Sequence, residues 1–265
     1  MREPMATRKL RPGIRVDEFI NVDDPDEQGT YETFWGRAWV HIKVADPVKP
    51  YMLANELIGS RLAASMGLPT LPGELARDRD GKNCWAAPRI QADSDTSLPP
   101  ASASVIAAAH PNITAGMVVF DAWIHNQDRS ADNVLYDERL GIWLIDHENS
   151  LALPDGSALA TNPEAAAATP LGWHEFAREP IDDEALTFWT RRIQAVHNHV
   201  VERPIAEANQ RGLITKPEAT WITRYLLARR DRIGSLVPAT PARPMSAPVS
   251  TASQTGQGDL FNQEV

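Results

Sequence analysis

Asp128, Asn133 and Asp146 are the residues of this sequence best suited to chemistry. The first two lie in the polar run Asn126-Gln127-Asp128-Arg129-Ser130-Ala131-Asp132-Asn133, and the third closes Ile142-Trp143-Leu144-Ile145-Asp146. A carboxylate can orient a hydroxyl group and accept its proton, while an Asn carbonyl and a second carboxylate offer the hard oxygen ligands that magnesium takes. Completed by a cation on the phosphates, these groups meet the needs of phosphoryl transfer from ATP.

The elements that must position them can be read outward from this stretch. A helix-like run ends at Phe120-Asp121-Ala122-Trp123-Ile124-His125, just before the polar loop. Val134 to Asp137 and Ile142 to Asp146 read as two strands joined by Glu138-Arg139-Leu140-Gly141, a hairpin that folds Asp146 back beside the loop. Upstream, Trp35 to Val44 alternates, with Gly36, Ala38, Val40, Ile42 and Val44 on one face and Trp39, His41 and Lys43 on the other, which predicts one half-buried strand. Met52 to Met66 predicts a helix closed by Gly67 and Pro69, and Cys84 to Ile90 a short strand. In the back half, Leu186, Trp189, Ile193, Val196 and Val200 recur at helical spacing and predict one helix over Asp183 to Val201. Thr215-Lys216-Pro217-Glu218 predicts the capped start of another. The tryptophans, Trp35, Trp123, Trp143 and Trp221 among them, read as core packing.

The predicted class is α+β in two unequal lobes, small and strand-rich in front, mainly helical behind. Residues 1–13 form an extension, 14–235 the domain (first lobe about 14–92, second about 93–235), and 236–265, rich in Pro, Ser, Thr, Ala and Gln, a disordered tail.

Asp128 precedes Asn133 by the spacing of the catalytic-loop Asp and Asn in the protein-kinase signature. More specifically, Asn126-Gln127-Asp128-Arg129 with Asn133, and Trp143-Leu144-Ile145-Asp146-His147, resemble the motif pair of HipA-like kinases. Ala54-Asn55-Glu56-Leu57, Arg61-Leu62-Ala63 and Gly67-Leu68-Pro69 resemble the helix after their first-lobe strands. The resemblance covers roughly residues 30 to 155. It implies a two-lobed kinase fold, ATP and magnesium as cofactors, Asp128 as the base that activates the hydroxyl, and Asn133 and Asp146 as magnesium ligands. It also implies a phosphate-binding lysine, for which Lys43 in Val40-His41-Ile42-Lys43 is the candidate, with Glu56 as its helix partner and Arg129 as a loop or phosphate contact. The acceptor it favours is a protein Ser or Thr, with a small molecule as the alternative. The sequence departs from the protein-kinase pattern in having no Gly-x-Gly-x-x-Gly loop, and His147-Glu148 rather than Phe-Gly after Asp146.

Two other readings use the same residues. His125 and His147 flank the acids, so Asp128, Asp146 and these histidines could ligate the metal of a phosphohydrolase. A nucleotide-binding relative without catalysis is the other. In the tail, Gln257-Gly258-Asp259-Leu260-Phe261 resembles the Gln-x-Asp-Leu-Phe peptide by which bacterial proteins dock onto the replication sliding clamp, with Leu260 and Phe261 as apolar anchors.

Composition narrows the setting. The 265 residues are 43% hydrophobic and 23% charged, ordinary for a globular chain. Lone Cys84 excludes an intramolecular disulfide and suits a reducing compartment, so the expected location is the cytoplasm. A net charge of −9 opposes broad binding to nucleic acid or to anionic membrane. No run has signal-peptide or membrane-spanning character.

Overall fold

The computed structural model describes residues 14, 16–21, 34–90, 98 and 100–241. Extended chain forms where β-branched and aromatic residues alternate, but the stretch predicted as one strand is divided at Trp39. β1 (Val16–Asn21) pairs antiparallel with β2 (Phe34–Ala38). β3 (Val40–Val44) joins a separate antiparallel sheet with β4 (Glu74–Arg77) and β5 (Asn83–Pro88), in the order β3-β5-β4. The Trp39 carbonyl marks the division by accepting the Arg89 N–H at 3.0 Å.

The alternation holds through β3, with its apolar face outward. Val40, Ile42 and Val44 are between 40 and 47% exposed, whereas Lys43 is partly buried against a cavity that His41, itself exposed, also lines. Lys43 turns inward because carboxylates wait for it there, and the apolar face is left outward. Trp35 and Trp39 are likewise more than 60% exposed, so the expectation of core packing holds for the fully buried Trp123 and fails for Trp35.

α1 (Met52–Ser65) follows, buried nearly all round, with Leu57, Ile58, Leu62 and Ala63 inaccessible. It is the wall between the lobes. The second lobe is built on α3 (Pro111–Ile124), preceded by α2 (Ala103–Ala109) and packed against two helices from later in the chain. β6 (Val134–Asp137) and β7 (Gly141–Leu144) form the predicted hairpin, and a parallel bridge from Thr70 to Leu144 ties it to the chain after α1.

Beyond the short α4 (Pro163–Ala166), the single helix predicted over 183–201 is two, α5 (Asp183–Gln194) and α6 (Asn198–Gln210). The apolar spacing runs through because both helices pack inward, but His197 is extended and breaks the helix. Arg230 fills the break, donating to the Val196 carbonyl at 2.9 Å and to Asn198 Oδ1 at 2.7 Å. α7 (Lys216–Leu236) begins with the complete capping box expected of Thr215 and Glu218. Leu236 is buried and the Pro241 carbonyl accepts from Ile181 N–H at 3.1 Å, so the packed chain continues past the boundary expected at 235. Gln257, Asp259, Leu260 and Phe261 lie outside the described residues.

One residue fastens three regions together. Tyr51, ahead of α1, gives its N–H to the Pro154 carbonyl at 2.8 Å and its hydroxyl to Glu218 at the start of α7. Gly156, at φ +73°, passes so close that a Cβ there would lie 2.2 Å from the Tyr51 ring. Among the described residues, no single helix is long and apolar enough to cross a membrane.

Candidate active site

The loop between α3 and β6 is organised from beneath by a buried acid. Asp121 ends an otherwise apolar helical face and is inaccessible to solvent, as are Asn126 and Arg129. Its carboxylate accepts from Arg129 Nε at 2.8 Å, lies 3.1 Å from His174 Nε2, and accepts from Asn126 Nδ2 at 3.2 Å. Burial alone would raise the Asp121 pKa, but Arg129 and His174 hold it well below the carboxylate range. Arg129 also donates to the carbonyls of Asn133, at 2.7 Å, and Ile145. It is therefore a scaffold contact that fixes the loop to the hairpin end, not a phosphate contact. Glu175 clamps the same loop from outside, accepting from Ala131 N–H at 2.8 Å while its own N–H reaches the Arg129 carbonyl at 3.3 Å.

The result is a division of labour along the loop. Asn126 and Arg129 face inward, and Asp128 is exposed, its Oδ2 accepting from Asn149 Nδ2 at 2.9 Å. Asn133 gives its amide nitrogen to the Asp128 carbonyl at 2.6 Å, which leaves its side-chain oxygen for another partner. Asp146 has φ +64°, a left-handed conformation that Asp tolerates better than most residues and that sets its carboxylate into the cleft.

Lys43 meets that carboxylate from the other lobe. Its ammonium donates to Asp146, to Glu56 Oε2 at 3.2 Å and to Glu148 Oε2 at 3.2 Å. Burial opposes its charge, yet the three carboxylates outweigh burial and raise its pKa. Glu56 is nearly inaccessible, and burial would raise its pKa. The His147 side, where the backbone N–H donates at 3.0 Å, and Lys43 bring it instead to about 2. Both groups are charged throughout the physiological range.

Lys43, Glu56, Asn133 and Asp146 all line one cavity of about 310 Å³. Leu71, Trp85, Ile90, Leu135 and Leu144 supply its apolar walls, a composition suited to an aromatic base. Asp128 is not part of that lining. A larger open groove of about 880 Å³, between the end of α1 and α5, contains none of these residues, so volume alone would misplace the site.

The histidine-based arrangement is not assembled. His125 faces away to Tyr225 Oη at 2.9 Å, and burial together with Arg229 lowers its pKa to about 4. The ring of His147 is buried without a hydrogen-bond partner, its Nδ1 3.7 Å from Glu56. Among the described residues, the acids close enough to share a cation are Glu56, Asp146 and Glu148, with no histidine and without Asp128. Glu148, Asn149, Asp121, His174 and Glu175 are site residues that sequence reasoning did not assign. The one local signal was Asp121, a lone acid within an apolar helix.

This architecture, with a small antiparallel lobe carrying Lys43, a helix carrying Glu56, and a loop and hairpin carrying the acids of the second lobe, is the two-lobed kinase fold. Among solved structures the chain is similar to the proinflammatory kinase CtkA of Helicobacter pylori, with a TM-score of 0.54 and 12% identity over 83% of this chain and 94% of that one. It also aligns with a structure of the Shewanella oneidensis MR-1 toxin-antitoxin system HipA, HipB and its operator DNA, with a TM-score of 0.41 and 13% identity over 88% of this chain and 68% of that one. No protein-family profile matches the sequence, and no curated protein does.

Proposed function

We propose that the chain is an ATP-dependent, magnesium-using kinase that transfers the γ-phosphoryl group to a hydroxyl, with a protein Ser or Thr as the favoured acceptor. The observation that carries this reading is the convergence of Lys43, Glu56, Asn133 and Asp146 on one cavity, from both lobes and from four separate elements. The donor set fits the cofactors: the Asn133 and Asp146 oxygens suit magnesium, Lys43 suits the phosphates, and the apolar walls suit adenine. MgATP, when bound, supplies the phosphoryl group and the divalent charge. Glu56 holds Lys43 in place, and Asn149 orients Asp128 so that its carboxylate can align the acceptor hydroxyl and take its proton. The likeness in fold to CtkA, itself a kinase, supports this reading.

Calorimetry of ATP binding with and without magnesium tests it. Wild type should bind in a magnesium-dependent manner and Asp146→Ala should lose that dependence; no binding by folded wild type would overturn the reading.

For the tail we infer a separate role, docking to the replication sliding clamp through Gln257, Asp259, Leu260 and Phe261. The support is the peptide pattern with its two adjacent apolar anchors. Deleting residues 257–261 should abolish capture on purified clamp. Undiminished capture after deletion, or none from the full chain, would end the idea.

A further inference from the structure

An ammonium group has three N–H donors, and on Lys43 all three are taken by carboxylates, those of Glu56, Asp146 and Glu148. Lys43 can therefore meet a phosphate only if one carboxylate lets go. Glu56 is poorly placed to do so: it is buried, also holds the His147 N–H, and would be left as a charge in a dry site. Asp146 is fixed by its backbone at the end of the hairpin and is the proposed cation ligand. Glu148 differs from both. Its second oxygen already accepts from Lys49 Nζ at 3.1 Å, and the Lys49 side chain is 41% accessible. Its backbone is held separately, the Glu148 carbonyl accepting from Asn55 Nδ2 at 2.9 Å. The side chain can swing without moving the chain and without losing its cation.

We propose that Glu148 occupies the phosphate's place on Lys43 and is handed to Lys49 when nucleotide binds. This rests on the nucleotide-site reading above and adds a residue to it. Glu148 sets what may enter: an incoming anion must outcompete a carboxylate already paired with Lys43, which favours a polyphosphate bearing its own cation over a singly charged ligand. Glu148 and Lys49 both lie just outside the cavity lining, with Lys43 on it, so the carboxylate has a cation to move to on the side away from the cavity.

The test is a double-mutant cycle read by calorimetry with MgATP as the probe, on the full chain, with thermal melting to establish folding. Glu148→Gln removes the competitor and should tighten binding about tenfold, a factor equivalent to roughly 1.4 kcal/mol. Lys49→Met, at a half-buried position, should weaken binding, because Glu148 then has Lys43 as its sole cation. The double variant should bind like Glu148→Gln, a coupling that a purely structural role would not produce. Unchanged or weaker binding by Glu148→Gln would overturn the proposal; weakening confined to magnesium-containing buffer would make Glu148 a metal ligand instead. Should wild type bind no ATP at all, the kinase reading itself fails, an outcome recognisable before any variant is compared.

Discussion

Asp121 reaches no substrate, yet the loop carrying Asp128 and Asn133 is built on it. Replacing it with Ala would leave the Arg129 guanidinium buried without its counter-charge, which typically costs about 3–5 kcal/mol. Urea unfolding of Asp121→Ala should register that loss as a fall in the midpoint. Asp128 is the opposite case, exposed and held by one side-chain bond, so Asp128→Ala should alter stability by no more than about 0.5 kcal/mol. Its effect belongs in turnover, expected to fall by ~10²–10⁴ while ATP binding persists. If Asp128→Ala retained full activity, the assignment of the base would be wrong. Asp128, Asn133 and Asp146 could be singled out as candidates in the sequence because their types and spacing are local. Asp121 pairs with His174 and the loop is clamped by Glu175, far along the chain, so no window of sequence contains both halves of the scaffold.

At the scale of elements, the close approach of α1 to the residues after β7 governs the site. Gly59 allows it: a Cβ there would lie 2.5 Å from His147 Cβ, backed by main chain that cannot retreat freely. Gly59→Ala should destabilise the protein by about 1–3 kcal/mol through overpacking, and it should weaken ATP binding as well, since Glu56 is carried on the displaced helix. Thermal melts and calorimetry on the same variant check both effects. Normal binding in a destabilised variant would show that α1 can shift without disturbing Lys43. The hairpin and the cap of α7 were readable because turn chemistry and capping boxes are short-range. Strand β3 was readable in period alone, because alternation defines two faces and does not say which one meets the core. Here electrostatics decided, drawing Lys43 to the carboxylates and leaving Val40, Ile42 and Val44 outside. The break between α5 and α6 escaped for a related reason: one extended residue, His197, interrupts the backbone without interrupting the apolar rhythm.

For the molecule as a whole, the two-lobed division followed from strands in front and helices behind, whereas the cavity between the lobes depends on long-range packing that periodicity does not encode. Acid stability is a whole-molecule property with an identifiable contributor. The pKa of His125 falls from 6.5 in the unfolded chain to about 4 in the folded one, through burial and then Arg229. Between those values the unfolded state binds a proton that the native state refuses, so stability should drop as pH falls from 6.5 towards 4, by at most about 3 kcal/mol. Glu56 and Asp121, whose pKa values are lowered, add a further loss at more acidic pH as they are protonated. Chemical denaturation across this range, compared with His125→Gln, should isolate the first contribution as a flatter curve; an identical curve would rule it out. Tyr51 bears on the same scale. Because one residue grips the first lobe, the segment after Asp146 and the start of α7, neither lobe can peel away without tearing the other's fastening, so heat should melt the protein in one cooperative step, and a protease probing the small lobe would have to wait for the large one to open.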